Sequence, residues 1–457
     1  MGNGGSRGRP VIDLTRGTDA TPTWLARVVR VAAGEAPALA WSFVYFFALL
    51  CGYYVLRPVR DEMGISGGVD KLHWVFTATF LTMLAAVPLF GAASARLRRR
   101  RLVPAVYLFF IANLLIFFVL FRVLGEHGWL ARGFFVWTSV FNLFVVSVFW
   151  SFMADIFTND QGRRLFGMIA AGGSLGAVLG PALTGLLAEP LGTSNLLLLS
   201  ALILGLALIA VIRLVAHADG RGQGAPADNR PLGGDDRPLG GGIADGFRLA
   251  LADRYLLGIC LFIWLHSGLA TVLYFEQANI LADAFDRPET RTALFAWMDF
   301  AVNAITLTTQ LFLTGRLIRR LGVDRALALM PATLAVGLVV LAAAPAVAAV
   351  VVVQVLRRAG NFAITQPARE ILFTVVGREA KYKAKNFIDT VVYRGGDAVS
   401  GWAFAGLKGL GLSLSAIALM ALPLALIWAW NGLRLGRRQE GLAEAQRSAI
   451  DSRLMDI

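Results

Sequence analysis

Charged residues and cysteine are scarce in this chain. Only 16% of the 457 residues are charged and 57% are hydrophobic, whereas soluble domains average about 25% charged and about 45–50% apolar residues. This composition excludes an ordinary water-soluble fold. The two cysteines, Cys51 and Cys260, lie far apart inside apolar runs, so neither a disulfide framework nor a cysteine metal site is predicted. We expect no cofactor.

Two sequence motifs for catalysis and the common patterns for nucleic-acid binding are also missing. The chain has no G-x-x-x-x-G-K-[ST] or H-E-x-x-H pattern, which argues against nucleotide hydrolysis and against a zinc hydrolase. The net charge of +13 comes from short basic loops, without a zinc, RNA-binding or helix-turn-helix pattern. No nucleic-acid partner is therefore expected.

Long apolar runs dominate the rest of the sequence. Each run is close to the roughly 20 residues that an α-helix needs to cross a bilayer. An open β-sheet is excluded, because its edge strands would leave backbone polar groups unpaired in lipid. The runs predict twelve transmembrane helices near residues 38–57, 72–93, 102–121, 133–154, 165–187, 194–215, 255–280, 292–314, 324–345, 347–372, 387–407 and 411–433. The predicted fold class is an all-α integral membrane protein, with the lipid bilayer as its surroundings.

Lys and Arg are concentrated in alternate loops, which sets the predicted orientation. Loops on one side hold the basic residues Arg96, Arg98, Arg99, Arg100, Arg101, Arg163, Arg164, Arg316, Arg319, Arg320, Arg325, Arg378, Lys381, Lys383 and Lys385. Positive loops remain in the cytoplasm, so both termini are predicted to be cytoplasmic. The Arg-rich loops and the N-terminal pattern favour a bacterial inner membrane, and we expect a monomer.

One long polar interruption divides the chain into two similar parts. The predicted organisation is a cytoplasmic N-terminal segment (1–37), a six-helix half (38–215), a linker (216–254), a second six-helix half (255–433) and a cytoplasmic tail (434–457). GAASARL at 91–97 and GRLIRRL at 315–321 occupy the same loop of each half. Such matches favour a parallel repeat, and hence two pseudo-symmetric halves.

These glycine-plus-basic loops resemble those of the major facilitator superfamily, between the second and third span of each half. The first copy has Ser94, Ala95 and Arg96 where an acidic residue is usual. The run from Gly176 to Gly185 (GAVLGPALTG) is similar to the glycine-proline pattern of antiporters in that superfamily. Small-residue helix packing is an equal alternative for this run. The resemblance implies two lobes that alternate access to a central cavity.

A narrower resemblance is to the nucleotide transporter family, the ATP/ADP translocases of plastids and intracellular bacteria. It depends on LRPVRD at 56–61, on KYKAKNFID at 381–389 and on RGG at 394–396. The resemblance implies exchange of one nucleotide for another.

Ionisable groups inside spans are costly in lipid and are therefore functional candidates. The candidate substrate-binding residues are Tyr53, Arg57, Arg60, Asp61, Glu276, Asp299, Arg358, Asn361 and Arg369. Helical steps of three and four place Tyr53, Arg57 and Arg60 on one face, and likewise Arg358, Asn361, Thr365 and Arg369. Guanidinium groups suit a small anionic substrate. Alternatively, the first-span arginines pair with neighbouring acids at the interface, and Arg369 pairs with Glu370.

The carboxylates of the second half have two possible roles. Glu276 and Asp299 are either proton sites of a coupled carrier or counter-ions of the arginines. A second set of charged residues is the candidate cytoplasmic gate, with substrate contact or a purely structural role as alternatives. This set comprises Asp155, Arg163, Lys385, Asp389, Arg394 and Asp397.

The sequence as a whole predicts a secondary transporter that exchanges an organic anion of nucleotide type by alternating access. One alternative is a proton-coupled antiporter of drugs or other small solutes, favoured by Gly176–Gly185 and by the buried carboxylates. The other is a membrane enzyme or assembly partner with a transporter-like shell.

Overall fold

Twelve long helices build the molecule, as seen in a computed structural model that describes residues 34–96, 99–125, 127–221, 243–377, 384–385 and 387–455. Predictions for 1–33, for most of the linker (222–242) and for Lys381 and Lys383 lie outside these residues. The helices are α1 (Ala36–Ser66), α2 (Leu72–Arg96), α3 (Arg99–Leu124), α4 (Gly128–Ile156), α5 (Asn159–Leu191), α6 (Asn195–Arg221), α7 (Arg254–Ala284), α8 (Pro288–Phe312), α9 (Thr314–Ala343), α10 (Val347–Val375), α11 (residues 388–409) and α12 (Leu414–Met455). A short helix, Ile243–Ala252, precedes α7.

The surface of this bundle is that of a membrane protein. Within the described residues, nine helices are long and apolar enough to cross a bilayer. Large apolar side chains such as Leu202 and Val123 are more than 70% exposed, which is favourable only where lipid covers them. The chain is therefore an integral membrane protein with an all-α fold of twelve helices.

Two apolar cores divide the helices into two bundles of six. The first core contains residues of α1, α3, α4, α5 and α6, with Tyr45, Phe141 and Phe149 among its fully buried side chains. The second core contains residues of α7, α9, α10, α11 and α12, packed around Trp428 and Phe373. We call the end of the bundle at which α6 ends and α7 begins the linker face, and the opposite end the far face.

The two bundles meet along two equivalent seams. Helix α5 packs against α8 on one side, and α2 packs against α11 on the other. In six-helix halves of the same order, α8 is the counterpart of α2 and α11 the counterpart of α5. The seams are therefore related by a pseudo-twofold axis, as expected for the pseudo-symmetric fold.

Glycines in the GAVLGPALTG run let helices approach each other closely. A Cβ atom added at Gly180 would lie 2.6 Å from the carbonyl oxygen of Cys51 on α1. One added at Gly185 would lie 2.8 Å from Trp297 of α8, across the seam. The run thus brings α5 against α1 and against the second half, as the packing interpretation requires.

Several helix boundaries differ from the predicted spans. The break at residues 344–346 separates α9 from α10 as predicted. Helix α12, in contrast, continues through the predicted tail (434–457) to Met455, because its strong helix formers extend beyond the apolar run. Gly436 packs against Asp324 there. Helices α10 and α11 contain π-helical turns at Asn361–Thr365 and Ile388–Val392, which the sequence did not reveal.

Candidate functional site

A polar cavity of about 210 Å³ lies between the two halves. Helices α1, α2 and α4 of the first half and α7, α10 and α11 of the second contribute its lining. The charged residues in that lining are Arg57, Arg60, Asp61, Arg357, Arg358, Arg394 and Asp397. Five are cations and two are anions, so the cavity itself is strongly positive.

Asp299 of α8 links arginines of both halves behind this lining. Its Oδ1 accepts a hydrogen bond from Arg358 of α10, and its Oδ2 lies 3.6 Å from Nε of Arg57 on α1. The carboxylate is only 1% exposed. Asp299 is therefore a shared counter-ion that is kept away from solvent, and the α1 and α10 arginines meet around it.

Two further arginines have carboxylates close by. Arg60 donates from Nε to Asp61 Oδ1 at 3.0 Å, and the Tyr274 hydroxyl lies 3.3 Å from the same oxygen. Nη1 of Arg394 lies 3.5 Å from Oδ2 of Asp397, whose Oδ1 accepts from the Thr271 hydroxyl. Tyr274 belongs to the second half and Asp61 to the first, so this contact also crosses the cavity.

Arg357 differs from the other four arginines. Its guanidinium donates to the neutral Gln354 side chain at 3.2 and 3.0 Å, and no carboxylate of a described residue forms an ion pair with it. Helical spacing from Arg358 does not single out Arg357, which lies about 100° around the helix from it. The polar spacing of Gln354, Arg357 and Asn361 was the available signal.

Other candidate binding residues lie at different depths. Asn361 lines the cavity, whereas Tyr53 is buried in the first core beside Phe141 and Tyr54. Glu276 is 1% exposed, and no described residue forms a hydrogen bond with either of its carboxylate oxygens. Arg369 lines a second cavity, next to the first, together with Asp389.

The candidate gate residues Lys385 and Asp389 pair with residues of α10, within the second half. Arg369 lies 3.7 Å from both Glu370 and Asp389, and Lys385 pairs with Glu370. Of the first-half candidates, Asp155 is half-buried at the end of α4 and Arg163 is exposed at the start of α5. A gate between the halves remains a prediction for these residues.

An ion pair that joins the halves occurs instead at the far face. Arg291 of α8 donates from Nε and Nη2 to the two carboxylate oxygens of Glu62 on α1, both at 2.7 Å, and both side chains are buried. An apolar cluster from both halves, which includes Ile65, Leu72 and Phe295, lies beside it. The far face is therefore closed. Sequence reasoning considered Glu62 only as a partner of the first-span arginines.

Metal binding has no support among the described residues, since no group of three or more His, Cys, Asp or Glu side chains is placed to hold an ion. The arrangement is suited to recognising an anion through guanidinium groups.

Comparison with solved structures supports the fold. The chain is similar to a mutant form of the nucleoside transporter NupG (11% identity, TM-score 0.58, 88% of this chain and 99% of that one). It is also similar to a bacterial homologue of the iron transporter ferroportin in the inward-facing state (15%, 0.60, 86% and 98%). A third similar structure is a bacterial homologue of the human lysosomal transporter Spinster, inward-facing and unoccupied (12%, 0.56, 90% and 99%).

Sequence comparison identifies the family. No curated protein matches the chain, but the model of the Major Facilitator Superfamily matches residues 38–396, which is most of its length. The two six-helix halves and the cavity between them agree with this match. The chain is a membrane transporter that belongs to the Major Facilitator Superfamily.

Proposed function

We propose that this transporter exchanges organic anions of nucleotide type. The observation that supports the proposal is the charge around the central cavity. Five arginines from both halves line it, against two carboxylates in the lining and Asp299 behind it. Two positive charges are left in excess, and an anionic substrate is the simplest species that balances them.

Uncompensated cations are costly between apolar helix bundles, where solvent and lipid cannot stabilise them well. Among the described residues, Arg357 has only a neutral partner, and Arg57 and Arg358 share one carboxylate. A phosphate or carboxylate group among these three guanidiniums receives charge-assisted hydrogen bonds. Binding such a group removes the charge imbalance.

Aromatic side chains supply a second feature of a nucleotide site. Phe76, Phe135 and Tyr274 line the cavity near Arg60, Tyr393 lines it beside Arg394, and Phe362 contributes a fifth ring. Aromatic rings provide flat surfaces on which a nucleobase stacks. The segments that resemble the nucleotide transporter family, LRPVRD and the RGG that begins at Arg394, also contribute to this lining.

The same charge imbalance favours exchange over one-way transport. Alternating access requires the cavity to become enclosed as it turns from one face to the other. Enclosing an empty cavity with two excess positive charges is unfavourable, whereas a bound anion neutralises them. The loaded carrier is therefore expected to reorient faster than the empty one, which couples outward and inward movement of substrate.

Uptake by proteoliposomes tests this function. We expect labelled adenosine diphosphate to enter vesicles preloaded with unlabelled nucleotide, and to enter empty vesicles much more slowly. Arg357→Gln removes the cation without a carboxylate and should weaken nucleotide binding by at least about tenfold. Arg447→Gln changes an exposed residue of the α12 tail and is the charge-matched control. No saturable nucleotide uptake by the unmutated protein, with or without internal nucleotide, contradicts the proposal.

A specific observation favours a second candidate, a proton-coupled antiporter. Glu276 is buried in α7, and neither of its oxygens has a hydrogen-bond partner in the part of the chain that the structure describes. A proton that binds this carboxylate would remove a buried charge. This candidate predicts that transport acidifies or alkalinises the vesicle interior, and that Glu276→Gln abolishes the proton movement. The exposed Glu444→Gln variant is its control.

A further inference from the structure

A second polar cavity, of about 280 Å³, adjoins the central one within the second half. Helices α7, α10 and α11 form it. The two cavities share His266, Asn361, Phe362, Tyr393 and Arg394 in their linings, so they are neighbouring chambers of one site. We call this cavity the side chamber.

Three side chains of the side chamber carry polar atoms without hydrogen-bond partners among the described residues. These atoms are Nδ1 of His266, Oγ1 of Thr365 and Nε of Arg369. His266 and Thr365 are more than nine-tenths buried. Buried polar groups are almost always paired, so each exception requires an explanation. A ligand that binds in the chamber supplies one explanation for all three.

Two π-helical turns border the side chamber. Asn361–Thr365 on α10 and Ile388–Val392 on α11 each contribute residues to the lining. A π turn widens the helix by one residue, and such turns occur often at functional sites. Pro367, which has no N–H group, follows the first π turn, so the altered backbone pairing loses little there.

Guanidinium groups outnumber carboxylates in the lining of the side chamber. Arg369 and Arg394 line it with the carboxylate of Asp389, while Arg394 also lies 3.5 Å from Asp397. Nη2 of Arg369 lies 3.7 Å from Asp389 and from Glu370, which is too far for a hydrogen bond. The guanidinium is consequently attracted to its carboxylates but is still able to donate hydrogen bonds to another group.

Neither chamber alone has the volume of a typical ligand-binding site. Sites for drug-sized ligands usually measure about 300–1,000 Å³, and each chamber alone is smaller than that. The two chambers together reach the range. A ligand that occupies both has room for one anionic group near Arg357 and another near Arg369.

We propose that the side chamber is a specificity subsite for a second phosphoryl group of the substrate, bound by His266, Thr365 and Arg369. This inference rests on the proposed function and adds to it a selection for nucleoside di- and triphosphates over monophosphates. The first phosphoryl group lies among the arginines of the central cavity, and the second enters the chamber. His266 and Thr365 donate neutral hydrogen bonds, and Arg369 donates a charged one.

Binding of adenosine mono- and diphosphate to the purified full chain, measured by titration calorimetry, tests the subsite. Arg369→Gln should weaken diphosphate binding by about tenfold or more, the value expected for a lost charge-assisted hydrogen bond. Its effect on monophosphate binding should be no greater than that of the control Arg447→Gln. Arg357→Gln, in the central cavity, should weaken both ligands.

Thr365→Val is a second variant that removes only an unpaired hydroxyl and keeps the side-chain shape. It should fold normally and weaken the diphosphate alone, by about threefold. An equal loss for both ligands, or no loss for either, in Arg369→Gln and Thr365→Val overturns the subsite while leaving anion binding in place. Failure of the unmutated protein to bind either nucleotide overturns the proposed function, and the subsite with it.

Discussion

Replacing Asp299 by asparagine removes the carboxylate that Arg57 and Arg358 share and keeps the side-chain volume. The carboxylate is 1% exposed, and the two guanidiniums are 16% and 10% exposed. Removing one partner of a buried ion pair costs about 3–5 kcal/mol, because the other charge is left without compensation. Asp299→Asn is therefore expected to lower the Tm of the empty protein clearly.

Substrate should have the opposite effect on this variant. In the unmutated protein an anion competes with Asp299 for the Arg57 and Arg358 guanidiniums, whereas in Asp299→Asn these donors are available. A charge-assisted hydrogen bond contributes about 1.5–3 kcal/mol, so we expect the variant to bind adenosine diphosphate at least about tenfold more tightly. At one saturating ligand concentration, each tenfold gain in affinity adds about 1.4 kcal/mol of stabilisation.

The assay is thermal unfolding of detergent-solubilised protein across a series of ligand concentrations. Asp299→Asn should show a lower starting Tm and a larger ligand-induced increase than the unmutated protein. Asp286→Asn, an exposed carboxylate between α7 and α8, should change neither. The double variant Asp299→Asn/Arg358→Gln restores the charge balance and should be more stable than Asp299→Asn alone.

Two results would refute this reasoning. A ligand-induced increase in Asp299→Asn that equals or falls below that of the unmutated protein would mean that the anion does not take over the role of Asp299. An unchanged starting Tm would mean that the shared ion pair contributes nothing to stability, and that the excess charge is compensated elsewhere.

Two further predictions concern the far face and the packing of α5. Glu62→Gln should favour the conformation that is open at the far face, since it breaks the buried pair with Arg291. A bulky thiol reagent added at that face should then label a cysteine in the cavity more than about tenfold faster. Gly180→Ala should lower stability by about 1–3 kcal/mol through overpacking against α1, measured as a fall in Tm, whereas Gly167→Ala, with no atom within 4 Å of the added Cβ, should not.

The labelling experiment for Glu62→Gln requires a single thiol in the cavity. Ser139→Cys supplies it in a background in which Cys51 and Cys260 are replaced by serine, since Ser139 lines the central cavity. Asp70→Asn is the control, because its ion pair with Lys71 is exposed and such pairs contribute little. Equal labelling of the Glu62→Gln and control proteins would show that the far-face pair does not hold that side closed.

Hydropathy alone was sufficient for most of the fold. Backbone groups in lipid must be paired within the helix, so an apolar run of sufficient length fixes both the element and its surroundings. Helix α12 continues beyond the predicted span, which ends at residue 433, since hydropathy marks the end of the membrane segment and not the end of the helix. Hydropathy also could not detect the π turns at 361–365 and 388–392, which depend on neighbouring helices.

The site was predictable only in its residue types. Helical spacing singled out Arg57, Arg60 and Arg358 as charges on inward faces, and the structure places all three around one cavity. Spacing within one helix could not show that Asp299 joins two of them, because that contact depends on how α1, α8 and α10 pack.

The sequence by itself determined twelve membrane helices, their division into six and six, and an excess of arginine within them, because each follows from the local cost of exposing polar groups to lipid. Only the tertiary structure decided which charges meet. It paired Arg291 with Glu62 across the far face, paired Arg357 with the neutral Gln354, and placed Arg369 in the side chamber. Ion pairs between helices distant in sequence depend on distances of a few ångströms, which are set by packing that no single segment encodes.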